Sequence, residues 1–219
     1  MRILVDISHP AHVHFFRNAI NLWQEHGHAV RVVARDKDMT CDLLKRFKIP
    51  FKVLSYARTG PLGWAAEMMV HTARLLPLVV NFRPHVMLQI GGTFVAPVGW
   101  LTATPTWAFT DTENASLSNA ITFPMVDRIF TPKCYKLNHG AKHRRFAGFH
   151  ELAYLHPRRF VADPSVLTPF GLKPGDPFFI VRFVAWQSLH DIDQKWFGAR
   201  EKIELVKILA QHGRVFVSS

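Results

Sequence analysis

Short, largely apolar runs alternate along this chain with segments whose apolar positions recur every three to four residues. Runs at 3–7, 29–34, 51–54, 86–90, 106–109 and 128–131 have strand length. Between them, segments at about 11–25, 39–47, 62–82, 94–101 and 115–122 carry a helical period. That alternation predicts repeated βα units around a mainly parallel sheet. In the first helical segment Val13, Phe16, Ile20 and Trp23 share one face, and Gly27 is a natural stop. The segment 62–82 is expected to be one long helix bent near Pro77. A further short strand at 145–147 ends at Gly148.

Beyond Gly148 the pattern changes. Pro157, Pro164, Pro169, Pro174 and Pro177 punctuate 149–177, and periodicity fades. This stretch is expected to be a linker between a first domain, 1–148, and a second one starting at 178. There a new unit begins, with a strand at 178–184, a loop at 185–196, a helix at 197–212 and a strand at 214–218. One such unit cannot bury both faces of a sheet, so the second domain is expected to be incomplete.

Composition narrows the partners. The 219 residues are 48% hydrophobic and 20% charged, which excludes a disordered chain. A formal net charge of +11 favours an anionic partner such as a nucleotide, a phosphorylated sugar or an acidic membrane surface. Tight basic clusters are few, Lys142-His143-Arg144-Arg145 and Arg158-Arg159 among them, a weak footprint for nucleic acid. Two widely separated cysteines, Cys41 and Cys134, and a first strand that starts at the N-terminus without a leader fit a cytoplasmic protein. The most apolar stretch, 62–80, is interrupted by Glu67, His71, Arg74 and Pro77, so no membrane span is expected.

Candidate chemistry gathers where strands end. After the first strand come Ser8, His9, His12 and His14. His12 and His14 cannot share one helix face, which argues against a metal site. Imidazoles beside the N–H groups of a helix start suit an anion or a sugar hydroxyl, with one histidine as a general base. His14 is equally well read as a packed helix residue. Gly91-Gly92-Thr93 follows the fourth strand, where glycine lets backbone amides approach a ligand; a plain tight turn explains it equally well. Thr110-Asp111-Thr112-Glu113-Asn114 follows the fifth. Asp111, nearest the strand end, is the preferred functional carboxylate, although helix capping accounts for part of this run.

His150-Glu151 with His156 departs from zincin spacing, so no metal is assigned there, and Glu151 is expected to face a cleft between domains. Arg182, Trp186, Ser188, His190 and Asp191 mark the end of the second domain's first strand. A cation, an aromatic ring and small polar groups there suit phosphate and base binding.

Taken together, these blocks resemble a family. Residues 5–16, Thr110-Asp111-Thr112-Glu113, Thr122-Phe123-Pro124, Thr131-Pro132, the run from Gly148 to Leu155, and Val181-Arg182-Phe183 with Trp186 and His190-Asp191 are similar, in order, to the DUF354 proteins of archaea and bacteria. That resemblance implies the GT-B architecture of two Rossmann-like domains found in nucleotide-sugar glycosyltransferases and non-hydrolysing UDP-N-acetylglucosamine 2-epimerases. It implies an acceptor-binding first domain and a nucleotide-binding second one. His9, His12 and Asp111 would then act as catalytic residues, and Ser8, Gly91, Gly92, Thr93, Glu113 and Glu151 would contact substrate. Arg182, Trp186, Ser188 and His190 would take the nucleotide and its phosphates. The substrates would be a nucleotide sugar and a sugar acceptor, with no other cofactor. An epimerase is the alternative within that class. An alternative of another class is a non-catalytic basic module on a membrane surface or nucleic acid, with 62–80 supplying an apolar face.

Overall fold

The computed structural model describes residues 1–183 and 198–218 and divides the chain into two compact units, Met1–Phe160 and Val161–Ser219. In the first unit the elements are β1 (Arg2–Ile7), α1 (Pro10–Glu25), β2 (Ala29–Asp36), α2 (Thr40–Arg46), β3 (Phe51–Tyr56) and α3 (Gly60–Phe82). They continue with β4 (Val86–Ile90), α4 (Val95–Thr102), β5 (Thr106–Phe109), α5 (Ser116–Thr122), β6 (Arg128–Pro132), β7 (His143–Phe146) and α6 (Leu152–Leu155). The seven strands form one sheet in the order β3-β2-β1-β4-β5-β6-β7, and every pairing is parallel. This is the parallel α/β sheet that the alternating pattern predicts and the Rossmann-like first domain that the resemblance implies.

Strand alternation sorts the core into two faces. Ile3, Val5 and Ile7 of β1 pack with Val13, Phe16 and Ile20 of α1 and Leu44 of α2. Leu4 points the other way, into a cluster with Leu75 and Val79 of α3 and Val95 and Val98 of α4. Interior strands are therefore largely apolar on both faces, which is why 3–7 and 86–90 read as apolar runs interrupted only by Asp6 and Gln89. α3 continues through Pro77 as one helix and ends at Arg83, whose φ of 49° places it in the left-handed region. β7 starts at His143, earlier than the sequence pattern suggests, because the register pairs His143 with Ile129.

The segment expected to be a linker divides. Residues 149–160 belong to the first unit, where α6 packs on α1 and Asn18 Nδ2 donates to the Ala153 carbonyl at 2.7 Å. The second unit contains β8 (Phe178–Arg182), α7 (Ala199–Ala210) and β9 (Arg214–Ser218), and the two strands make a small parallel sheet. A short helical stretch, Pro164–Phe170, precedes them, with Asp163 capping it through the Ser165 N–H.

One polar seam crosses the α3 side of the first unit. Asp6 sits in β1 with no exposure. His71 Nε2 donates to Asp6 Oδ2 at 2.8 Å, and its Nδ1 lies 2.7 Å from Ser55 Oγ. Ser55 donates to Glu67 Oε1 at 3.2 Å, and Glu67 also accepts from the Arg35 guanidinium and the Arg58 N–H. The Ser55 hydroxyl thus links the His71 ring to the Glu67 carboxylate, and the Arg35 guanidinium pairs with Glu67 at the far end of the seam. The His71 ring also stacks on Phe94 at 4.0 Å, directly after Gly91-Gly92-Thr93.

Replacing one partner leaves the others buried and unpaired, which costs about 3–5 kcal/mol for a buried pair. His71→Leu is accordingly expected to lower unfolding stability by about 3 kcal/mol or more, measured by urea denaturation. A loss below about 1 kcal/mol would show that the seam does not hold the helix.

Candidate functional site

Along the sheet, the chain runs outward from β1 to β3 on one side and from β4 to β7 on the other. At this switch point β1 leads to α1 on one face and β4 to α4 on the other, the place beyond the strand ends where open α/β sheets form the crevice that takes a ligand. The β1 loop brings Ser8 and His9, the first turn of α1 brings His12, the β4 loop brings Gly91, Gly92 and Thr93, and the β5 loop brings Asp111.

His9 is the N-cap of α1 in extended conformation, and its Nδ1 accepts from the Ala11 N–H at 3.2 Å. The His12 N–H goes to the His9 carbonyl at 3.0 Å. The helix start therefore satisfies these two amides internally, and they do not form the anion cradle suggested by the sequence. The same holds at α4, where Gln89 Oε1 takes the Phe94 and Val95 N–H groups at 2.8 and 3.3 Å. Gly91 and Gly92 both lie at positive φ, 78° and 74°. A Cβ on Gly92 would come within 3.0 Å of Ala108 Cβ and Thr122 Cγ2, so the turn needs glycine for packing as well as conformation. Side chains, rather than helix-start amides, are left to meet a ligand.

His12 is the best defined of them. The Ser8 N–H donates to His12 Nδ1 at 3.4 Å, and Ser8 Oγ is 3.2 Å from the same atom. With Nδ1 accepting, a neutral His12 carries its proton on Nε2. Burial pulls the His12 pKa from 6.5 down to about 3, aided by His9 and His150 and opposed by Asp111. The ring is thus a neutral donor at physiological pH and too weak a base to abstract a proton there.

Asp111 is 41% exposed and is held by His150 Nδ1 at 3.1 Å and by the Thr112 hydroxyl at 3.1 Å. The His150 hydrogen bond is the main cause of a carboxyl pKa below the ordinary 3.8, overcoming the upward push of burial. His150 itself is buried, with Phe15 at 4.6 Å and Phe146 stacked at 6.1 Å. Its chain segment is anchored by α6 against α1, where Tyr154 meets the His14 ring at 5.2 Å. His14 is thus a packed helix residue, and burial lowers its pKa.

The remaining expected residues separate. Thr93 Oγ1 lies 3.5 Å from Ser118 Oγ. Glu113 Oε1 accepts from the Lys136 N–H at 2.9 Å, bracing the β5 loop against the β6–β7 connection. Glu151 is exposed at the start of α6. Arg182 is exposed at the end of β8 in the second unit, in register with Ser218. Trp186, Ser188 and His190 lie outside the described residues. Sequence reasoning missed His150 as a partner of Asp111. The usable signal was its place just past the last strand of the sheet, which the comparison with zincin spacing obscured.

Since folding depresses the Asp111 pKa, the stability from this bond is present above 3.8 and is lost as pH falls through the lower folded value. His150→Phe keeps an aromatic ring between Phe15 and Phe146 but removes the donor. It is expected to raise the Asp111 carboxyl toward the ordinary carboxylate range, read by carbon NMR titration of that side chain. An unchanged titration would show that His150 does not set it.

Solved structures share the fold at low identity. The UDP-GlcNAc 2-epimerase of Methanocaldococcus jannaschii has a TM-score of 0.67 at 13% identity, over 100% of this chain and 66% of that one. That of Rickettsia bellii has 0.67 at 12%, over 99% and 61%. That of Neisseria meningitidis, bound to UDP-GlcNAc, has 0.66 at 11%, over 100% and 72%. An uncharacterized protein of Methanocaldococcus jannaschii is 22% identical over 191 residues, 82% of this chain and 55% of that protein, so the chain spans about half the length of this curated relative. The family profile described as "Protein of unknown function (DUF354)" matches residues 1–183. With its Rossmann-like first unit and smaller second sheet in the manner of GT-B proteins, the chain belongs to the DUF354 family.

Proposed function

We propose that the crevice binds the reacting end of a nucleotide-activated sugar and that Asp111 is its working carboxylate. The observation that carries this reading is the Asp111–His150 pair standing beside a neutral His12 at the switch point of the sheet. Support for the ligand class comes from the fold, shared with structures described as UDP-GlcNAc 2-epimerases.

The chemistry follows from the residues. In glycosyl transfer Asp111 takes the proton of an acceptor hydroxyl as its oxygen bonds to the anomeric carbon. The bond from that carbon to the diphosphate oxygen breaks, and the nucleoside diphosphate leaves with the electron pair. His150 acts through Asp111, fixing its orientation while Phe15 and Phe146 fix His150. His12, as an Nε2–H donor without charge, suits an oxygen that gains negative charge in the transition state. The second reading, epimerisation at a sugar carbon, is favoured by the character of the matching solved structures.

Titration calorimetry of the chain with UDP-sugars tests the site. Saturable binding is expected, with Asp111→Asn weakening it about tenfold or more, as loss of a charged hydrogen bond does. Glu113→Gln, whose partner is a backbone N–H, is expected to leave affinity unchanged. No heat with any UDP-sugar would sink the proposal. Solvent deuterium entering the sugar without an acceptor would select epimerase over transferase.

A further inference from the structure

α3 presents its apolar side to solvent. Among its 23 residues only Glu67, His71 and Arg74 carry ionisable groups, and the first two are buried in the polar seam. Its outward stripe is Leu62, Ala65, Met69, Ala73, Pro77 and Val80, spaced at the helical period and all exposed. Leu62 is 88% exposed, Met69 68% and Val80 57%. Surface helices of globular domains ordinarily place polar residues there. From Leu62 to Val80 the stripe runs about 27 Å at the rise of an α-helix. Trp100 and Leu101 of α4 are also exposed, at 70% and 60%.

Between the last turns of α3 and α4 lies an open groove of about 600 Å³. Leu76, Val79, Val80 and Leu101 line it, and Arg83 stands among the lining residues with Thr102 and Thr104. The Arg83 carbonyl accepts from Arg2 Nε at 2.7 Å, which brings a second guanidinium to this end. Lys52, Arg58 and Arg74 are exposed along the same layer, whereas α3 carries no exposed acid.

We propose that this face lies on an anionic lipid bilayer. The stripe sits at the boundary between headgroups and acyl chains, as in interfacial helices, and the flanking cations meet lipid phosphates. The groove, apolar along its length with a guanidinium at its edge, fits an acyl chain whose phosphate head pairs with Arg83. Charge selects this occupant over a second copy of the chain. A two-fold interface on α3 would bring like cations of two copies together, whereas the chain's formal +11 is attracted to an acidic surface. Among the described residues no helix is long and apolar enough to cross a membrane, so contact is by lying on it. The inference is independent of the reading of Asp111.

Flotation of the full chain tests it, using vesicles of phosphatidylcholine mixed with phosphatidylglycerol and vesicles of phosphatidylcholine alone. The chain is expected to float with the anionic vesicles only, less so as salt is raised. The double variant Leu62→Glu with Met69→Glu, at exposed positions, is expected to keep its circular dichroism spectrum and lose binding about tenfold or more. The proposal is overturned if the wild-type chain stays unbound or floats equally with both vesicles, or if the double variant floats as well as wild type. It is also overturned if the chain is a dimer in solution that the double variant dissociates without any vesicle binding.

Discussion

A carboxylate in the middle of a parallel sheet must be held by the chain around it. Asp6 lies in the central strand β1 with no exposure, and its hydrogen bond to His71 ties β1 to α3. Ser55, Glu67 and Arg35 extend that tie to the ends of β3 and β2. Removing such groups from water is unfavourable unless each finds a partner, so the seam fixes the rotation of α3 about its own axis. Two consequences follow from this one constraint. His71 backs Phe94 and thereby steadies the β4 loop, and the outer side of α3 is left with its apolar stripe facing away from the sheet.

At the carboxyl ends of the strands the same need for satisfied polar groups shapes the site. His9 and Gln89 take the first amides of α1 and α4, which closes the helix starts and leaves side chains as the groups that face the strand ends. The histidines then divide by environment. His12 is kept neutral by burial, His14 packs against aromatic rings, and His150 is buried where it can hold Asp111. Asp111 alone among these groups combines an ionised carboxylate with access to solvent. The crevice thus has one acid oriented by one histidine, next to one neutral donor.

Much of this was legible from local pattern. The alternation of apolar runs and helical periods reports which residues face a core, and the carboxyl ends of successive parallel strands must meet at one edge. Ser8, His12, Gly91 and Asp111 could therefore be placed at a common edge without coordinates. Pairings across distance were not legible. Asp6 and His71 are 65 positions apart, and His71 with Glu67 read only as interruptions in an apolar helix. Glu113, expected as a substrate contact beside the preferred Asp111, instead gives its carboxylate to the β6–β7 connection.

The amino-acid order by itself determined the α/β class, the parallel sheet and the strand ends at which the candidate residues gather, because these follow from periodicity and the reach of short loops. Only the tertiary structure decided which polar groups spend their bonds inside the protein and which remain for a ligand. That depends on register, on the angle at which α3 and α6 pack, and on the distance between side chains brought together from remote parts of the chain. Burial then sets the charge state of His12 and the acidity of Asp111, properties that belong to the folded arrangement and to neither residue alone.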